Sequence, residues 1–68
     1  MKISARNQFE GKIVGVEKGT VNGIVKIDIG GGNIISATIS LASIEELGLE
    51  VGGQATAVVK ATSVMVMV

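Results

Sequence analysis

Two apolar runs separated by Gly30-Gly31-Gly32-Asn33 constrain this chain more than any other stretch of it. From Val21 to Ile29, residues Val25, Ile27 and Ile29 fall on one side and Ile24, Lys26 and Asp28 on the other, which is the two-residue period of a half-buried strand. Glycine and asparagine tolerate positive φ, so the intervening segment reads as a tight hairpin turn into a second strand, Ile34 to Ile39. A phosphate-cradling loop is the competing reading of three glycines. Such a loop needs a helix directly after it, and Ile34 to Ile39 carries a strand pattern instead.

The remaining elements are read around this hairpin. Phe9 to Glu17 forms a first strand, with Gly11 and Gly15 at places where a sheet can bulge or bend, and Lys18-Gly19-Thr20 turns it into the second. One helix is expected from Ala42 to Leu47. Ser40 or Ser43 can serve as its N-cap, Ser43 and Glu46 have capping-box spacing, and Gly48 stands where a helix terminates. Val51-Gly52-Gly53 turns the chain into a fourth strand, Ala55 to Lys60; Ala61-Thr62-Ser63 breaks it, and Val64 to Val68 reads as a fifth. The expected fold is all-β, a five-stranded OB-like Greek-key barrel with one short helix between strands three and four.

A chain of 68 residues supports one domain, 1–68, and a monomer of that size buries only about 60% of its unfolded surface. Hydrophobic residues nevertheless make up 47% of the sequence, with Phe9 the sole aromatic. So much aliphatic surface points to subunit interfaces. The run Val64-Met65-Val66-Met67-Val68 is apolar on both faces, and is expected to be covered by another subunit or closed into a barrel. Absence of Cys and His excludes thiolate and imidazole metal sites and His-based acid/base catalysis within one chain. No signal-peptide pattern and no apolar run of membrane-spanning length occurs, and a cytoplasmic location is expected.

Three classes of function can be weighed on the residues. The acids Glu10, Glu17, Asp28, Glu45, Glu46 and Glu50 are scattered and none pairs with a nucleophile, so no catalytic residue is assigned and no enzyme is expected. Nucleic acid is excluded as a partner, because six basic residues balance six acidic ones and one Phe cannot supply a stacking platform. Oxyanion binding asks for many donors, one or two cations and no nearby carboxylate. Ser4, the Ala5 N–H and Arg6 offer donors near the start, Ser40 and Ser43 at the helix N-terminus, and Lys60 with Thr62 at the end of the fourth strand. On spacing alone, Arg6 and Lys60 read first as ordinary exposed charges, and capping explains the two serines as well as ligation does.

Four stretches change that balance: Ile3-Ser4-Ala5-Arg6-Asn7-Gln8, Lys18-Gly19-Thr20-Val21, Ser43-Ile44-Glu45-Glu46-Leu47-Gly48-Leu49 and Ala57-Val58-Val59-Lys60-Ala61-Thr62. Together they resemble the molbindins, free-standing Mop-type molybdate-binding domains, across essentially the whole chain. The resemblance implies a homohexamer, a trimer of dimers, that binds molybdate or tungstate between subunits, with no organic cofactor and no metal coordinated directly by side chains. It implies ligation by Ser4, Ala5, Arg6 and Lys60 of one subunit and Ser40 and Ser43 of a neighbour. Some relatives have a serine where this chain has Ala61, which leaves the Ala61 N–H or Thr62 as substitute donors. A second kind of site is implied near Gly19 and Thr20. The function expected is intracellular storage and homeostasis of the anion; the alternatives are a sensor or delivery module and a structural assembly module without ligand.

Overall fold

Strand β1 (Asn7–Lys18) lies at the middle of the molecule, and everything else is hung on its two edges. The computed structural model describes residues 2–68. On one edge β1 pairs with β2 (Asn22–Gly30) antiparallel, Ile13 opposite Ile27 and Lys18 opposite Gly23. On the other edge it pairs with β4 (Gln54–Val59) from Asn7 opposite Val59 to Lys12 opposite Gln54. The register skips Val14, so a bulge next to Gly15 bends β1 where it passes from one partner to the other. The turn before β4 is fastened at that bend: the Ile13 N–H donates to the Gly53 carbonyl (2.8 Å) and the Gly52 N–H to the Ile13 carbonyl (2.9 Å).

The expected hairpin is present. β2 and β3 (Asn33–Ser40) are joined by Gly31 and Gly32 at φ +63° and +79°, the positive values a two-residue turn between twisted strands requires. Asp28 Oδ1 accepts from the Gly30 N–H (2.9 Å), and Asn33 Nδ2 donates to the Gly30 carbonyl (3.2 Å), so the turn is braced from both strands. Alternation in β2 is realised as read: Val25 and Ile27 are buried, while Ile24 and Asp28 face solvent. Helix α1 (Leu41–Leu47) follows β3 directly, capped by Ser40 at its start and by Gly48 at its end. Its one buried residue, Ile44, joins Ile13, Val25, Ile27 and Ala57 to make the core.

Spatial order β3-β2-β1-β4, with β4 returning beside β1, is a Greek key. The architecture is all-β and OB-like with a helix between β3 and β4, but the described residues form four strands where five were expected. Val64 to Val68 is the correction. It follows a 3-10 turn at Ala61–Ser63 and starts in extended geometry (Val64 φ −89°, ψ 126°), yet it pairs with no strand of its own chain. A strand exists only as part of a ladder, and an apolar run cannot by itself supply the partner. The barrel is accordingly open. Edge strands β3 and β4 face each other, unpaired, across an apolar cleft of about 560 Å³ whose walls include Ile35, Ala37 and Ile39 on one side and Ala55, Ala57 and Val59 on the other.

Candidate oxyanion site

Antiparallel pairing of Asn7 with Val59 brings the residues before β1 alongside those after β4. Between them lies an open cleft of about 400 Å³, lined by Ile3, Ser4, Ala5, Arg6, Val58, Lys60, Ala61 and Thr62. Six of the residues singled out in the sequence therefore share one wall. No carboxylate lines it, so two cations, two hydroxyls and backbone N–H groups meet without a competing acid. Side-chain amides from the start of β1 fasten both flanks: Asn7 Nδ2 donates to the Val59 carbonyl (3.2 Å) and Gln8 Nε2 to the Ala5 carbonyl (2.8 Å). The 3-10 turn holds the far side through the Ser63 N–H on the Lys60 carbonyl (2.9 Å). Ser4, Arg6, Lys60, Ala61 and Thr62 are exposed, so one chain supplies a wall and not an enclosure.

Ser40 and Ser43 are elsewhere. Ser40 pairs with Asn22, and the Leu41 N–H donates to the Val21 carbonyl (3.0 Å), which places the helix start beside the β1–β2 turn. That is the Lys18 end of β1, and Arg6 and Lys60 are at its Asn7 end, separated by roughly 36 Å of strand path at ~3.3 Å per residue. Of the two possible caps it is Ser40 that acts: its Oγ accepts from the Ser43 N–H (3.1 Å) and donates to Ser43 Oγ (2.9 Å). One hydroxyl hydrogen is thus spent within the pair, and the one free to reach a ligand is that of Ser43. The capping box expected from Ser43 to Glu46 is not used, because the helix begins one turn earlier.

A second open groove, of about 410 Å³, occupies the same end, lined by Glu17, Lys18, Gly19, Asn22, Gly23, Ile24 and Thr38. Gly19 lines it and Thr20 does not; the Gly19 N–H is taken by the Asn22 carbonyl (2.8 Å). Sequence reasoning missed Ile3, Val58 and Thr38, apolar or neutral residues whose place at a cleft follows from strand pairing alone. Among the described residues no group of three His, Cys, Asp or Glu is arranged to hold a metal ion.

The TOBE domain model matches residues 3–66. This chain belongs to the TOBE domain family. Within it, this TOBE domain is 67% identical over 66 residues to a probable molybdenum-pterin-binding protein of Haemophilus influenzae, a match covering 97% of this chain and 96% of the relative. MopII from Clostridium pasteurianum, in an apo form, has the same fold with a TM-score of 0.92 at 54% identity, covering 98% of this chain and 100% of that one. The molybdate binding protein from Sporomusa ovata gives 0.91 at 39% identity, with 98% of both chains covered. The molbindin resemblance read from the motifs is thereby supported over the whole length of this TOBE domain.

Proposed function

We propose that this TOBE domain binds molybdate, and the chemically similar tungstate, as a free oxyanion for storage and homeostasis in the cytoplasm, with residues 1–68 acting as one binding domain. The observation that carries the reading is the cleft in which Ser4, Ala5, Arg6, Lys60, Ala61 and Thr62 converge without a carboxylate, in a chain whose relatives are molybdate- and molybdenum-pterin-binding proteins. A bare anion fits this lining better than a pterin, because a flat heterocycle calls for an aromatic partner and Phe9, the sole aromatic, lies outside the cleft. The chemistry is binding and not turnover: donors abound, and no nucleophile or general base is set against them.

The anion site is completed by a second copy, in a homo-oligomer that we take to be a hexamer, a trimer of dimers. Ser40 and Ser43 stand at the opposite end of β1 from Arg6 and Lys60, and a neighbour's helix start supplies the missing wall. The apolar tail Val64–Val68 seats in the β3–β4 cleft of another copy, where two unpaired edges await a strand. Calorimetric titration with molybdate tests the assignment. Arg6→Ala and Lys60→Ala should each cost about 1.5 to 3 kcal/mol of binding, roughly ten- to hundredfold in Kd, without loss of fold. Two variants that bind as tightly as the parent would remove the cleft from consideration.

A further inference from the structure

Asn7 and Gln8 do not line the cleft, yet their side-chain amides act on the same kind of target: the carbonyl of the residue directly before a cation. Gln8 Nε2 holds the Ala5 carbonyl (2.8 Å), one residue before Arg6, and Asn7 Nδ2 holds the Val59 carbonyl (3.2 Å), one residue before Lys60. A trans peptide is planar, with its C=O and N–H pointing in opposite directions, so fixing the carbonyl also fixes the next residue's N–H. Two peptide planes, Ala5–Arg6 and Val59–Lys60, are set in this way on the two flanks of one cleft. Each bond also occupies an oxygen that would repel an anion if the plane turned over.

We infer that Asn7 and Gln8 are positioning residues for the oxyanion: they lock the peptide planes preceding Arg6 and Lys60, so that donors and not carbonyl oxygens face the ligand. The inference rests on the oxyanion reading of the cleft. Adjacent on β1, the two amides point to opposite faces of the strand, which is how consecutive residues reach the N-terminal segment and the end of β4 at once. Gln8 is exposed, and its bond closes only a three-residue loop, so it contributes little to global stability. Its value lies in preorganisation, as with groups that orient the direct ligands of a metal.

The test uses the full chain in its native assembly, with molybdate as the probe. Gln8→Met keeps length and removes the donor; Asn7→Leu does the same on the other flank and guards against an effect peculiar to one position. Each should weaken molybdate binding about tenfold. Gln8→Met should leave Tm within a few degrees of the parent while lowering the NMR order parameter of the Arg6 amide in the unliganded protein, a signature that a merely stabilising role would not produce. Binding by Gln8→Met within twofold of the parent, or an unchanged Arg6 amide, overturns the positioning role alone. A parent that takes up no molybdate overturns the oxyanion reading, and this one with it.

Discussion

Ile44 reaches over Gly23 so closely that a Cβ there would stand 2.6 Å from Ile44 Cδ1 and 2.9 Å from the Glu17 carbonyl oxygen. Glycine is required at that position by space, not by a turn, and nothing around it in the sequence says so: it sits inside an alternating strand, where a larger residue would continue the pattern. Gly23→Ala should therefore destabilise the protein by about 1 to 3 kcal/mol through overpacking, read as a lower urea midpoint. A midpoint equal to the parent's would mean that the helix can shift off the sheet without cost. Arg6 and Lys60 were legible for the opposite reason. Their significance came from the motifs around them, and the strand register then placed them across one cleft.

Elements were legible where local chemistry decides them. The Gly31-Gly32 turn, the helix ends at Ser40 and Gly48 and the glycine-bent first strand all arise from backbone preferences visible in a few residues. Strand five was not legible as what it is, since propensity describes a segment and pairing describes two. At the helix start, capping and ligation can be separated by two variants. Ser40→Ala removes the cap and should cost about 0.5 to 2 kcal/mol of stability. Ser43→Ala keeps the capped backbone N–H and removes the hydroxyl that remains free, so it should weaken molybdate binding while leaving Tm nearly unchanged. If Ser43→Ala titrates like the parent, the serines are a cap and nothing more.

At the scale of the molecule, the core among the described residues amounts to five buried side chains, and Met65, Val66 and Met67 are each at least 87% exposed. If a chain so aliphatic and so thinly buried draws stability from its own copies, as proposed, its Tm should rise with protein concentration. Val66→Asp places a charge in the segment assigned to the β3–β4 cleft of a neighbour. Light scattering should show it dissociated or aggregated, because a buried unpaired charge costs several kcal/mol by order of magnitude. An oligomer of parental size would put the tail outside the interface.

With its cationic donors at one end of β1 and its serine pair at the other, the chain would, on the proposed reading, carry two halves of a site that only a second copy brings together. On that proposal, occupancy and association would be reciprocally coupled: whatever free energy the anion gained from touching two copies, the contact between those copies would gain from the anion. Loaded protein should then resist dilution better than empty protein, and affinity measured at low subunit concentration should fall below that measured at high. The abundance of the chain would thereby become a variable in its own binding curve, so that a cell making more of it would gain tighter sites as well as additional ones.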